Sequence, residues 1–201
     1  SDKNSDLFDE IIFACRDIEK AIIGPNIKRI CTYAFAECEN LSKIEFGENS
    51  QLEIINESAF KNCFSLRIIE FPINVETICS SAFHMCTGIQ KIIFPENSKL
   101  ERIETGCFTR SSVETVILPR KVRYIGNASF NLCRSLKAVE LLSDFVEVGM
   151  RAFLKCQTLF IASFPNAQKV IVSVEAFDSC HSNFCLYTIP KATVNVGRVE
   201  K

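Results

Sequence analysis

The sequence predicts an α/β repeat solenoid, in which stacked coils contribute strands to a parallel sheet and each coil carries a short helical turn. Three observations predict it. The dipeptide Ala-Phe recurs at Ala34-Phe35, Ala59-Phe60, Ala82-Phe83, Ala152-Phe153 and Ala176-Phe177, and Cys107-Phe108 and Ser129-Phe130 fill the two gaps. The phenylalanines are separated by 25, 23, 25, 22, 23 and 24 residues. Self-similarity at a fixed period of this size marks an array of supersecondary units. Finally, other apolar residues fall into columns at constant offsets from the Ala-Phe pair.

Each element of the unit follows from its column. Four residues before the small residue stand Ile30, Ile55, Ile78, Ile103, Ile125, Val148 and Val172, which close a short V-x-x-I extended piece. The A-F-x-x-C segment is too short for a helix of several turns and predicts a single helical turn. Its cysteine column is Cys15, Cys38, Cys63, Cys86, Cys133, Cys156 and Cys180. An L-x-x-I-x-F segment follows, as in Leu41, Ile44 and Phe46 or Leu66, Ile69 and Phe71. Its alternation and its β-branched and aromatic content predict the main strand. Gly47, Pro72, Pro95, Pro119, Pro165 and Pro190 close the units, as strand ends allow.

About eight such units occupy residues 1–201 as one solenoid, with the ninth only begun near Val194–Val196. The first unit is degenerate, with Leu7, Ile11, Ile12, Cys15, Ile18, Ala21, Ile23 and Gly24 in the columns. The fifth is one residue short after Phe108 and lacks the column cysteine. The eighth reads as one residue long, so that Phe184, Tyr187 and Ile189 take the L-x-x-I-x-F positions. No unit can bury its apolar side alone, so neighbours stack, with strands about 4.8 Å apart in a sheet along the inner face.

These motifs resemble the BspA-like branch of the leucine-rich-repeat proteins. The run Ser65-Leu66-Arg67-Ile68-Ile69-Glu70-Phe71-Pro72, followed by Val75-Glu76-Thr77-Ile78 and Ala82-Phe83-His84-Met85-Cys86, carries the resemblance, which covers residues 7 to 190. It implies a curved, right-handed horseshoe with the parallel sheet on its concave side. It also implies a non-enzymatic binding role of the surface-antigen or adhesin kind. The partner would then be a protein, such as a host extracellular-matrix or cell-surface protein, and the location the cell surface or outside the cell.

Composition excludes several classes. With 23 basic and 24 acidic residues the formal net charge is −1, without the basic excess of a nucleic-acid binder. No apolar run reaches membrane-span length, so no membrane insertion is expected of this chain. The polar, acidic Ser1–Glu10 segment does not read as a secretory signal, which keeps an intracellular scaffold as the alternative location and role. The 11 cysteines suggest metal or disulfide chemistry until they are placed in the repeat. Spacings of 23 to 25 residues are not those of a zinc site, and free cysteine packs readily as a small buried hydrophobe. His84 and His181 fall at variable positions in or after the A-F-x-x-C turn and read as surface residues, without a second group to orient them for catalysis. No cofactor, metal or catalytic residue is expected.

The surface remains as the place for function. If Ile44 and Phe46 point inward, Lys43 and Glu45 point outward. One outward column then reads Lys20, Lys43, Ile68, Lys91, Thr115, Ala138, Ile161 and Leu186. The next reads Ile22, Glu45, Glu70, Ile93, Ile117, Glu140, Ser163 and Thr188. The candidate partner-binding residues are Lys43, Glu45, Ile68, Glu70, Lys91, Ile93, Thr115, Ile117, Ile161 and Leu186, with apolar residues gathering toward the C-terminal half. The lengthened edge loops Gly47-Glu48-Asn49-Ser50-Gln51 and Pro95-Glu96-Asn97-Ser98-Lys99 are a second candidate, since insertions on one edge of a solenoid often face its ligand.

Overall fold

The structure is a computed structural model that describes residues 10–11, 16–188 and 193–197. Seventeen strands follow one another along the chain. They are β1 (Glu10–Ile11), β2 (Lys20–Ile23), β3 (Arg29–Ile30), β4 (Lys43–Phe46), β5 (Ile54–Ile55), β6 (Ile68–Glu70), β7 (Thr77–Ile78), β8 (Lys91–Ile93) and β9 (Arg102–Ile103). Then come β10 (Thr115–Leu118), β11 (Tyr124–Ile125), β12 (Ala138–Leu141), β13 (Phe145–Val148), β14 (Ile161–Phe164), β15 (Lys169–Ser173), β16 (Cys185–Thr188) and β17 (Thr193–Gly197). Odd-numbered strands are the V-x-x-I pieces and even-numbered strands the L-x-x-I-x-F pieces. All pairings are parallel and join equivalent positions of successive coils. The predicted degenerate positions Leu7, Ile12 and Cys15, and Ile189 and Pro190 at the other end, lie outside the described residues.

The strand that was expected to be secondary carries the longest sheet. The nine odd-numbered strands form one ladder, β1-β3-β5-β7-β9-β11-β13-β15-β17. The L-x-x-I-x-F strands, expected to run as a single sheet, divide into β2-β4, β6-β8 and β10-β12-β14-β16. The cause is unit length. The path from the V-x-x-I piece through A-F-x-x-C keeps its length from coil to coil, so its hydrogen-bond register is never disturbed. Every length change falls next to an even-numbered strand. Both ladder breaks come directly after a lengthened loop, at 47–51 after β4 and at 95–99 after β8. The second break also coincides with the missing residue after Phe108.

The A-F-x-x-C segment is not a helical turn. It is a series of linked reverse turns in which alternate amides have different partners. In one coil Ala59, Lys61 and Cys63 N–H donate to the carbonyls of Asn56, Ser58 and Phe60 at 3.2, 3.1 and 3.2 Å. The intervening Ser58, Phe60 and Asn62 N–H donate to Ser80, Ala82 and His84 carbonyls of the next coil at 3.0, 2.7 and 3.0 Å. An α-helix needs every amide for its own i−4 carbonyl, so handing alternate amides to the neighbour excludes it. The geometry requires left-handed backbone at two positions per turn, such as Ser58 (φ 54°) and Asn62 (φ 64°), or Ser81 (57°) and Met85 (62°). Gly106 (φ 66°) occupies the first of these in its coil. No β-branched residue stands at these sites among the described residues, as expected where φ is positive.

Inside the stack the Phe column becomes a ladder of parallel rings. Phe35, Phe60, Phe83, Phe108, Phe130, Phe153 and Phe177 follow one another at centroid distances between 4.8 and 5.3 Å. That spacing is set by the coil repeat, so the same hydrogen bonds that hold the backbone hold the rings face to face. Cysteine serves beside it as more than a small hydrophobe. The thiols of Cys63, Cys86, Cys133, Cys156 and Cys180 donate to the carbonyls of Phe35, Phe60, Phe108, Phe130 and Phe153 in the preceding coil, at 2.9 to 3.4 Å. In the unit lacking this cysteine, Ser111 Oγ lies 3.2 Å from Cys133 Sγ.

Cys63, Cys79, Cys86, Cys107, Cys133, Cys156, Cys180 and Cys185 are free thiols. Burial pushes Cys107 well above the ordinary thiol value and Cys180 up to about 11. Thiol reactivity should therefore be graded by depth. In a Cys15→Ser background, the exposed Cys185 is expected to react first with an aromatic disulfide reagent, followed slowly by half-buried Cys31, Cys79 and Cys180. Cys38, Cys63, Cys86, Cys107, Cys133 and Cys156 should react only on unfolding. Rapid native-state modification of several of these six would contradict the packing.

The last coil corrects one register. Ile161 pairs with Cys185, Ala162 with Leu186, Ser163 with Tyr187 and Phe164 with Thr188. The eighth unit thus has no extra residue before its strand, and the expected placement slips by one. Leu186 takes the inward column and packs partly buried against the core, while Tyr187 is exposed. A one-residue slip exchanges every side chain between the two faces. Phe184 instead stacks on Phe177 at 4.9 Å and covers the end of the ring ladder.

Candidate functional site

The outward face of the even-numbered strands begins with a charged cluster. Lys20 lies directly beside Lys43 across the β2-β4 ladder, a like-charged pair that Glu45 neutralises. Its carboxylate receives Lys20 Nζ at 2.8 Å and Lys43 Nζ at 2.7 Å. The hydrogen bonds from Lys20 and Lys43 hold the Glu45 pKa at about 2, and Glu45 in turn raises that of Lys43. These groups are open to solvent, so they orient the rim of the face more than they stabilise the fold.

Beyond this cluster the face is split. Strands β4 and β6 belong to different ladders, and between them lies a groove of about 850 Å³. Its floor and walls include Ile44, Phe46, Ile68, Phe71 and Ile73, and Lys43, Glu45, Arg67 and Glu70 lie along it. Ile44 and Phe46 sit in inward columns, whose equivalents Ile69 and Phe71 are buried, yet both are only partly covered because no paired strand closes over them. Phe94 is likewise only partly buried at the second ladder break.

Both ends of the groove are pinned. Ser65 N–H donates to Glu39 O at 3.2 Å at one end. At the other, Asn74 Nδ2 donates to Ser50 O at 2.8 Å. The lengthened loop forms the wall between. Gly47 lies so close to Pro25 of the preceding coil that a Cβ would meet its Cδ at 2.9 Å. The loop then turns through Asn49 (φ 57°), and buried Ser50 Oγ accepts Leu52 N–H at 3.3 Å. The 95–99 loop repeats this device, with Leu100 N–H donating to Ser98 Oγ at 3.2 Å. The edge loop and the strand face, two separate candidates in the sequence, therefore meet in one groove.

Of the ten candidate residues, Lys43, Glu45, Ile68 and Glu70 line this groove. Lys91, Thr115 and Ile117 are exposed on β8 and β10, while Ile93 and Ile161 are half-buried on their strands. Leu186 belongs to the core side, as described above. Apolar exposure does not gather toward the C-terminal half: Ile22 and Ile68, at 69% and 49%, match Ile117 at 57%. Ile44, Phe46 and Phe71 escaped the sequence because inward columns read as core, and Arg67 and Ile73 because they stand outside both outward columns. The loop insertion was the available signal.

His84 is half-buried, not a surface residue, and its Nδ1 is buried without a hydrogen-bond partner. Burial is the first cause that lowers its pKa. His181 is exposed, with Nδ1 accepting Asn183 N–H at 3.1 Å. Neither histidine lines the groove. Among the described residues no group of His, Cys, Asp and Glu is arranged to hold a metal ion, and no helix is long and apolar enough to cross a membrane.

The chain is similar to known proteins in sequence and in fold. The family model described as "BspA type Leucine rich repeat region" matches residues 7–131 and 101–197, in six copies. A leucine-rich-repeat protein of T. pallidum superposes with a TM-score of 0.68 at 25% identity, over 79% of this chain and 77% of that one. The pneumococcal vaccine antigen PcpA gives 0.54 at 18% identity, over 90% of this chain and 69% of that one. A leucine-rich-repeat protein from Eubacterium ventriosum gives 0.57 at 19%, over 86% and 49%. No curated protein sequence matches the chain.

Proposed function

The chain belongs to the BspA-type leucine-rich-repeat family, and on that premise we propose that it is a non-enzymatic, surface-antigen-like module that binds another protein. It works at the cell surface or outside the cell, through the outward face of the even-numbered strands and the adjoining edge loop. The horseshoe curvature implied by the family would make this face concave. The β4–β6 groove is the observation that carries the reading. It joins uncovered apolar side chains to a rim of both charge signs, the make-up of an interface core surrounded by polar contacts. The likeness to a vaccine antigen supports the surface location.

A partner segment that places one or two apolar side chains over Ile68 and Ile73, with charges near Lys43 and Glu70, fits this surface. Immobilised extracellular-matrix proteins are the panel on which to test it. The double variant Ile68→Asp/Ile73→Asp is expected to weaken binding about 30-fold, the effect of losing a central anchor of about 2 kcal/mol. Ile117→Asp/Ile161→Asp, on the same face but away from the groove, should change it little. Loss confined to the second pair would move the site toward the C-terminal half, and absence of binding to every matrix protein would remove the adhesin reading.

A second reading is an intracellular scaffold that uses the same groove. The column thiols Cys63, Cys86, Cys133, Cys156 and Cys180 favour it, because they are unbridged and a reducing compartment keeps cysteines in that state. Thiol titration of protein taken from its native source separates the two.

A further inference from the structure

A second concavity lies on the turn corner of the stack, away from the strand face. It has a volume of about 480 Å³ and is lined by residues of the fourth to seventh coils. Its origin is the shortened fifth unit. After the A-F-x-x-C turn, one coil continues Cys86-Thr87-Gly88-Ile89 and another Cys133-Arg134-Ser135-Leu136, but the coil between has only Ser111-Ser112-Val113. The residue that would stand between Gly88 and Ser135 is missing, and the corner is hollow there.

The hollow is strongly cationic. Arg110, Arg134 and Lys155 line it from three successive coils, and no acidic residue does. None of the three takes part in an ion pair among the described residues. In a chain with 24 acidic residues against 23 basic ones, this is a local excess. Arg110 (φ 65°) and Lys155 (φ 59°) occupy the same left-handed position of their turns, so the backbone presents them in one column two coils apart. Hydroxyl donors supplement the charges. Ser112 Oγ is already committed to Thr87 O at 2.7 Å. The hydroxyls of Thr87 and Ser135 have no protein partner among the described residues.

We infer that this corner cleft binds a multiply charged phosphate or sulfate ester, held by Arg110, Arg134 and Lys155 with hydroxyl donation from Thr87 and Ser135. Guanidinium groups and hydroxyls are the donors that tetrahedral oxyanions accept best. Arg110 and Lys155, two coils apart in one column, are spaced by about 10 Å along the stack, which suits two linked anionic groups better than one. The site does not depend on the protein-binding groove and stands if that reading fails.

Calorimetry of the whole chain in dilute buffer, with a sugar bisphosphate, a sulfated oligosaccharide, inorganic phosphate and an oligo-aspartate peptide of similar charge, tests the inference. The sugar bisphosphate and the sulfated sugar should bind at least tenfold more tightly than inorganic phosphate, and the preference between them identifies the source of the ester. Affinity should fall as salt rises. Arg110→Gln/Arg134→Gln should reduce it tenfold or more at an unchanged melting temperature, Arg134→Lys should reduce it less, and Lys121→Gln, outside the cleft, should leave it as it is. Equal binding of oligo-aspartate would overturn the ester chemistry. Undiminished binding by the double variant would overturn the site.

Discussion

Replacing Phe108 by Ala is expected to lower stability by about 3–5 kcal/mol, the range for a large aromatic removed from a rigid core. The ring is fully buried and stacks on Phe83 at 5.2 Å and on Phe130 at 5.3 Å, with Phe71 edge-on at 6.5 Å. Its neighbours cannot collapse into the space, because each is held at the coil spacing by backbone hydrogen bonds. The position also has little redundancy. Strands β8 and β10 belong to separate ladders, and the coil lacks the column cysteine. Since repeat proteins hold together through nearest-neighbour interfaces, the loss should also split unfolding into two transitions, one for each side of Phe108. Urea unfolding followed by circular dichroism measures the loss, and hydrogen exchange tells which half opens first. Phe153→Ala, inside the continuous β10-β12-β14-β16 region, should cost a similar amount but keep unfolding in one step. A Phe108→Ala loss below about 1 kcal/mol would mean that the ring ladder is not a principal source of cohesion.

The second large effect concerns a close approach of two coils. A Cβ on Gly88 would lie 2.2 Å from Phe64 O and 2.7 Å from Leu66 O, both backbone atoms of the preceding coil. A flexible side chain could move aside, but a carbonyl fixed in the stack cannot. Gly88→Ala is therefore expected to cost about 3 kcal/mol, the upper end of ordinary overpacking. It should also push apart the strands that follow. Gln90 N–H donates to Arg67 O at 2.9 Å just before the β6-β8 ladder begins, so its exchange rate reports the separation. Faster exchange at Gln90 and Lys91, with Tyr124 unchanged, is the expected pattern. A variant of native stability and native exchange would show that the coils can part there at little cost.

Much of this was legible because each column records a residue's relation to its own coil. Ile30, Ile55 and Ile78 recur because every short strand buries its last side chain, and the Phe and Cys columns recur because each turn fills the same place in the core. The helical turn was misjudged for a related reason. Small and apolar residues at A-F-x-x-C suit a helix and a series of reverse turns alike, and the two are separated by the amides given to the next coil and by the left-handed backbone at Ser58, Asn62 and Met85. Leu186 was misplaced where the repeat loses its characteristic residues, so that a one-residue slip had nothing to contradict it.

By itself the sequence determined the unit, the contents of the core and the outward columns, because local alternation and period decide which side of a coil a residue faces. Tertiary structure decided which strand carries the long sheet and where the surface opens. Those outcomes depend on differences in length between adjacent coils. Two extra residues after β4 part it from β6 and uncover Ile44 and Phe46, and one residue missing after Phe108 hollows the corner around Arg110 and Arg134. An extra or missing residue is visible in a single coil. The gap it makes exists only where that coil lies against the next.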